Sequence, residues 1–144
     1  MALPVDFDDT LARVEKLGIT AEEPAKIRDH LVLAISTAAE QSQKSGDLAV
    51  GDLGFLDWST KTLRRCEEAI HDEVCDPSKG QLKDEYKELM DKATSDDNVR
   101  QIAVVVTNVL AVVNPAIAVS SVIVYFALWL TKVGLNYWCK QPLP

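Results

Sequence analysis

Hydrophobic positions in the first hundred residues recur every three or four residues, which is the spacing of amphipathic helices. The first segment covers about Asp6–Leu17 and is followed by Gly18, a residue that commonly ends helices. The second begins at Thr20–Glu23, which has the form of a capping box, and continues to about Lys44. Both segments predict helices with one apolar and one charged face, so each needs a packing partner.

Two further amphipathic helices are predicted after a glycine-rich loop. The loop covers Gly46–Gly54, and the third helix runs over about Phe55–Cys75 until Asp76–Pro77 stops it. Ser78–Gln81 resembles another capping box and opens a fourth helix, which is expected to end near Ala93. Helical periodicity therefore accounts for nearly all of the N-terminal part.

The pattern changes after Arg100. Gln101–Thr131 is a run of 31 residues without a charged side chain, although Ser95 and the two aspartates after it favour a helix start just before it. A helix that is apolar on all sides is a membrane segment or the central helix of a bundle. The many valines and isoleucines also suit β-strands, but the helical pattern of the rest of the chain favours helices.

Asn114-Pro115 divides this uncharged run. As one helix, Ile102–Leu130 would have 29 residues and a length of about 43 Å, which exceeds a hydrocarbon layer of about 30 Å. An arm of 13 residues before the break would span only about 20 Å. Because Asn-Pro initiates turns and proline suits a first helical turn, we predict two helices that form a hairpin.

The predicted fold class is therefore all-α, a bundle of about six helices with amphipathic N-terminal helices around a C-terminal all-apolar hairpin. Residues 1–144 are predicted to form one helical domain, with acidic amphipathic helices in 1–97 and the hairpin in 98–140. The hairpin residues expected to enter a bilayer or fill a core are Val105, Leu110, Asn114, Pro115, Val124, Phe126 and Trp129.

Basic and aromatic residues flank the hairpin, namely Arg100, Lys132, Tyr137 and Trp138. In a hairpin, Arg100 and Lys132 would lie on the same side, and aromatic residues beside lysine are typical of a membrane interface. Tryptophan and tyrosine also occupy the ends of core helices in bundles, where their N–H and O–H groups reach water. The flanks therefore fit both environments.

The charge distribution excludes one class of partner. The net charge is -7, and residues 1–100 carry all 22 acidic residues and 13 of the 15 basic ones. Such a surface repels a phosphate backbone, and no basic patch is present in the sequence. We expect no nucleic-acid partner, and instead a membrane lipid or a protein partner, together with homo-oligomerisation.

The cysteines favour a reducing compartment. Cys66, Cys75 and Cys139 form an odd set without zinc spacing, and Cys66 and Cys75 would lie about 14 Å apart on one helix, too far for a bridge. The N-terminus also lacks the features of a signal peptide. We therefore expect reduced thiols and a cytoplasmic location, with membrane association where the hairpin engages lipid.

No catalytic, cofactor or metal site is predicted. Glu68–His71 matches the Glu-x-x-His motif of di-iron sites, but such sites need two of these motifs and two further glutamates, and the only other histidine, His30, has no glutamate three residues before it. A pairing of Cys66 or Cys75 with His71 would lack an orienting group. The aspartates Asp47, Asp52 and Asp57 lack the alternate spacing and final glutamate of a calcium loop.

Two functions remain open on these grounds. The first is a non-enzymatic protein that associates with or inserts into membranes through its C-terminal hairpin, as a small effector or pore former would. The second is a soluble helical-bundle interaction module that self-associates or binds a protein, with the hairpin as its buried core. They differ in whether a charge placed at Val124 abolishes folding or only membrane association.

Overall fold

The structure is a computed structural model that describes residues 3–44, 55–76, 78–86 and 96–141. These ranges contain six α-helices: α1 (Phe7–Lys16), α2 (Pro24–Lys44), α3 (Phe55–Val74), α4 (Asp96–Val113), α5 (Ser120–Val133) and α6 (Leu135–Lys140). A hairpin of two short antiparallel strands follows α3, with β1 at Cys75–Asp76 and β2 at Gln81–Leu82. The predicted all-α bundle is confirmed.

The first two helices occur where the sequence predicts them, apart from the start of α2. Gly18 follows α1 with φ of +77°, a conformation that glycine adopts without steric cost. Thr20 does not cap α2, because Ile19–Ala21 forms a turn of 3₁₀ helix and α2 begins only at Pro24. The residue before a proline avoids the helical region, so the helix cannot start earlier.

The predicted capping box at Ser78–Gln81 is wrong. The Asp76 carboxylate accepts hydrogen bonds from the Ser78 backbone N–H at 3.0 Å and from its hydroxyl at 2.7 Å, and the hydroxyl bond lowers the pKa of Asp76 below its ordinary value. This local bonding makes a turn, which Gly80 completes with φ of +61°. Gln81 and Leu82 then form β2 instead of a helix start.

Several sequence predictions fall on residues that the structure does not describe. The Gly46–Gly54 loop, the part of the predicted fourth helix at 87–93 and the start signal at Ser95 lie outside the described residues. Within the described ranges, Asp96 is the first residue of α4.

The predicted break at Asn114-Pro115 is confirmed. α4 ends at Val113, a 3₁₀ turn covers Pro115–Ile117, and α5 starts at Ser120. The structure adds a second break that the sequence pattern does not predict, since Gly134 ends α5 with φ of +87° and separates it from α6. The arm after Asn114-Pro115 is therefore two helices.

α5 lies at the centre of the bundle. It packs against α1, α2, α4 and α6, and ten of its 14 residues are buried. The amphipathic helices turn their apolar faces to the same hydrophobic cluster, to which α1 and α2 contribute Phe7, Leu11, Val14, Ile27, Leu31 and Ile35. The burial of these faces supplies most of the stability of such helices.

The prediction of reduced thiols is wrong for Cys75 and Cys139, which form a disulfide. Cys75 on β1 and Cys139 on α6 are bonded, with their Cα atoms 5.5 Å apart, whereas Cys66 is free and buried. The helical spacing of Cys66 and Cys75 excludes only a bond between those two. The partner of Cys75 lies 64 positions away, and folding of the chain brings it close.

Candidate functional site

The α5 residues singled out from the sequence all lie in the core. Val124 and Phe126 have no exposed surface, and Trp129 is 8% exposed. Their rings and methyl groups contact other protein atoms on every side, so no part of this helix forms a continuous outer apolar face. In this structure, α5 is the buried helix of a bundle.

α4 differs from α5, because only one of its faces is buried. Leu110 is fully buried, together with Ile102 and Val106 on the same side of the helix. Val105 and Val109 are partly buried at the edge of the core, and Val112 is 85% exposed. Since these three residues occupy positions i, i+4 and i+7, they form an outward apolar stripe.

The connection between α4 and α5 lies at the surface. The backbone N–H of Asn114 donates to the Leu110 carbonyl at 2.8 Å, and Pro115 is exposed. The Ser42 hydroxyl donates to the Ala116 carbonyl at 3.3 Å, which attaches the connection to α2. Asn114 and Pro115 thus shape the break and do not enter the core.

The four flanking residues do not share one environment. Arg100 is exposed and forms an ion pair with Asp8 on α1, and Lys132 is exposed on α5. Tyr137 is 60% exposed, whereas Trp138 is buried at 5%. Only Tyr137 and Lys132 therefore have the exposure expected of an aromatic and basic belt on the second arm.

Trp138 belongs to an aromatic cluster in the core. Its ring lies 5.0 Å from the His71 ring and 6.2 Å from the Trp129 ring, measured between centroids, and both contacts are edge-to-face. Such contacts are favourable beyond the area they bury. The cluster joins α3, α5 and α6 next to the disulfide-bonded Cys139.

An ion pair that the sequence did not reveal crosses from α2 to α3. Arg28 donates to the Glu67 carboxylate at 2.6 Å, and its guanidinium lies 5.6 Å from the centre of the Trp129 ring. Burial raises the pKa of Glu67 above its ordinary value, and Arg28 opposes that rise. The pairing satisfies a carboxylate that is only 2% exposed.

The candidate nucleophiles lack the environment that would activate them. Cys66 is buried, and burial together with the negative charge of Glu67 raises the pKa of its thiol to about 12. Cys75 is held in the disulfide. Thiol reactivity requires a thiolate, so neither cysteine forms a nucleophile with His71 in this arrangement.

The candidate metal ligands are also dispersed. Glu68 and Asp57 are exposed on α3, while His71 packs on Trp138. The described part of the chain holds no group of three or more histidine, cysteine, aspartate or glutamate side chains with metal-binding geometry. Asp47 and Asp52 lie outside the described residues.

The lengths of the helices bear on the membrane interpretation of the uncharged run. Within the described ranges, none of the helices combines the length and the hydropathy that a membrane crossing requires.

The outward stripe of α4 forms one wall of a groove with a volume of about 330 Å³. The other wall comes from α3 and from the segment that follows β2. α4 contributes Val105, Asn108, Val109, Val112 and Val113, α3 contributes Ala69 and Glu73, and the segment after β2 contributes Tyr86. We call this the α3–α4 groove; its floor is apolar and its polar groups lie on few residues.

The polar wall of the α3–α4 groove is negatively charged. The Tyr86 hydroxyl donates to the Glu73 carboxylate at 2.6 Å. Partial burial, the bond to Glu73 and the charges of Glu73 and Glu85 raise the pKa of Tyr86 to about 12. The phenol therefore stays neutral and a donor at neutral pH, and the carboxylates define the charge of the wall.

Comparison of the chain with protein-family models, with curated proteins and with solved structures finds no match. Support for a function therefore comes from the chain's own surface and core. A signal for the groove does exist in the sequence, since valines at 105, 109 and 112 share one helical face. The spacing of these valines does not reveal which face of α4 is exposed, because the opposite face is equally apolar.

Proposed function

We propose that this protein is a non-enzymatic interaction module that binds a helical segment of a protein partner in the α3–α4 groove. In this proposal α5 is the structural core, and it remains buried while the protein acts. The contact surface is the outward face of α4, whose valines adjoin Glu73 and Tyr86.

The observation that carries the proposal is the difference between the two arms of the uncharged run. Val124 in α5 has no exposed surface, while Val112 in α4 is 85% exposed and lines a concave surface. Exposed apolar residues that lie together in a groove mark binding surfaces more often than isolated ones do. An amphipathic helix laid in an apolar groove is a common mode of peptide recognition.

Peptide selection tests this proposal, because it requires no candidate partner. Random 16-residue peptides displayed on phage are selected on the full chain, and the enriched peptides are then tested for binding to the Val109→Asp variant. We expect enriched peptides that bind the wild-type chain and lose binding to Val109→Asp, because a charge in the apolar α4 wall of the groove costs desolvation. Peptides that bind both proteins equally, or no enrichment, would contradict it.

Leu33→Asp provides the matched control. Leu33 lies on α2, is 56% exposed and does not line the groove. The selected peptides should bind this variant as tightly as they bind the wild-type chain. Loss of binding in both variants would show that the peptides recognise general surface hydrophobicity, and the groove proposal would fail.

A second candidate function has one observation in its favour. Val112, Val113, Pro115 and Val119 are exposed around the uncharged connection between α4 and α5. Exposed apolar residues of this kind can enter the interface of a bilayer without a membrane-spanning helix. Flotation of the full chain with phosphatidylcholine vesicles supports this function only if Val112→Asp abolishes it; a chain that stays at the bottom of the gradient excludes it.

The disulfide bears on the compartment. The expectation of a cytoplasmic location used two observations, the cysteine set and the N-terminal residues, and the bond between Cys75 and Cys139 removes the support from the cysteines. Disulfides persist in oxidising compartments and are rare in the cytosol of most organisms. We therefore propose that the protein reaches its partner in an oxidising environment, and thiol labelling of the protein taken directly from its native cells tests this.

A further inference from the structure

We propose that the occupant of the α3–α4 groove is a basic amphipathic helix of a partner protein, whose lysine or arginine pairs with Glu73. This inference rests on the proposed function and adds the chemistry of the partner. The spacing of the α4 stripe supports a helix as the occupant, and the negative charge of the opposite wall supports a basic one.

The stripe has the dimensions of a helix contact. Val105, Val109 and Val112 span seven positions of α4, which corresponds to about 10 Å along the helix axis. That distance is two helical turns, and a partner helix presents apolar side chains at the same interval through positions i, i+4 and i+7. A groove of about 330 Å³ is at the small end for ligand sites, which suits a few aliphatic side chains.

The wall beyond the stripe selects a positive charge. Tyr86 uses one acceptor position of Glu73, and the carboxylate keeps further positions for a second donor. Glu85 adds negative charge beside Tyr86, and the eight lining residues include no lysine or arginine. A lysine or arginine placed there would therefore gain a charge-assisted hydrogen bond at the edge of an apolar contact.

A second copy of this chain fits the groove less well. The protein carries a net charge of -7, and the acidic residues are concentrated in residues 1–100, which include α1 to α3. Their exposed faces would bring like charges to Glu73 and Glu85. α4 and α5 carry one basic residue each, Arg100 and Lys132, because charges are absent from 101 to 131, and Arg100 is already paired with Asp8.

Two designed peptides test the charge preference directly. Both are 16-residue helices with leucines at i, i+4 and i+7; one has lysines on the flanking positions and the other has glutamates. Binding to the full chain is measured by fluorescence anisotropy in 150 mM NaCl, where exposed charges are screened beyond about 8 Å. We expect the lysine peptide to bind at least about tenfold more tightly than the glutamate peptide.

Two variants separate the groove from the general acidity of the protein. Glu73→Lys should remove or reverse the preference for the lysine peptide. Asp9→Lys makes the same change of net charge at an exposed position on α1 and should keep the preference. Val109→Asp should weaken the binding of the lysine peptide by at least about tenfold. Circular dichroism checks that each variant stays folded.

Each outcome decides the question. Equal binding of the two peptides, with loss in Val109→Asp, overturns the basic partner while the groove function stands. Binding that Val109→Asp does not change, or no binding at all, overturns the helical occupant itself. A wild-type chain that sediments as a dimer, with a monomeric Val109→Asp variant, shows a second copy in the groove and also overturns the proposal.

Discussion

Arg28 on α2 donates a hydrogen bond of 2.6 Å to Glu67 on α3, and the carboxylate it meets is almost completely buried. The guanidinium also lies over Trp129 of α5, so one side chain connects three helices. A buried carboxylate without a cationic partner is strongly unfavourable. The pair therefore fixes how α2, α3 and α5 are placed relative to one another.

Replacing Arg28 should lower the free energy of unfolding more than replacing Glu67 does. We expect Arg28→Met to lower the free energy of unfolding by about 3 kcal/mol, because Glu67 is left buried and unpaired. Glu67→Gln should cost only about 1 kcal/mol, since an amide is cheaper to bury and still accepts from Arg28. Urea denaturation measures both; a larger loss for Glu67→Gln would contradict the assigned role.

The pH dependence of stability should carry the signature of Glu67. Burial raises its pKa in the folded state above the ordinary value of 4.5, so the folded protein holds this proton more tightly than the unfolded chain does. The contribution of Glu67 is then most favourable below its unfolded pKa and is lost as pH rises through the folded pKa. The stability of the wild type relative to Glu67→Gln should thus fall as the pH rises from the unfolded pKa of 4.5 through the raised pKa of the folded state.

Glu68→Gln controls for the removal of one carboxylate from the same helix, because Glu68 is exposed. Denaturation curves of all three proteins are measured at each pH. A relative stability of the wild type that instead grows with pH would mean that Arg28 outweighs burial at Glu67.

The disulfide can be counted directly. Unfolded under non-reducing conditions, the chain should expose one reactive thiol, that of Cys66, and three after reduction. We expect Cys139→Ser to lower the free energy of unfolding by about 4 kcal/mol, since the bond closes a loop of 64 residues. Three reactive thiols in the unreduced protein would show that the bond is absent.

Gly134 should resist substitution. It lies between α5 and α6 with φ of +87° and ψ of +118°, which side-chain-bearing residues rarely adopt, although no atom lies where a Cβ would be placed. Gly134→Ala should therefore cost about 1–3 kcal/mol from backbone strain alone. Thermal unfolding measures it; a variant as stable as the wild type would mean that the break between α5 and α6 is not fixed there.

The helices of this protein could be predicted where each had its own local signals. Apolar spacing and Gly18 located α1, and Asn114-Pro115 located the end of α4. The capping box at Ser78–Gln81 failed because an aspartate outside the motif, Asp76, bonds to Ser78 and forms a turn. The same residues can form a helix cap or a turn, and the sequence pattern alone does not show which of the two forms.

The candidate site depended on contacts between distant residues. A charge-free run gives the same pattern for a helix buried on all sides and for one buried on a single face, so α4 and α5 could not be distinguished. The groove exists because Glu73 and Tyr86 lie beside α4, and the disulfide joins residues 64 positions apart. Neither the contacts at the groove nor the disulfide produces a periodic pattern in the sequence.

α5 forms the buried core, and we propose that α4 carries the contact surface; a matched pair of charge substitutions separates these two roles. Val124→Asp places a charge at a fully buried position, and Val112→Asp places the same charge at a position that is 85% exposed. Urea denaturation followed by circular dichroism should show Val124→Asp unfolded in buffer, since a buried charge costs much of a stability of about 5–15 kcal/mol. The free energy of unfolding of Val112→Asp should lie within about 0.5 kcal/mol of the wild-type value. A Val124→Asp variant with wild-type stability, or an unfolded Val112→Asp variant, would contradict the claim.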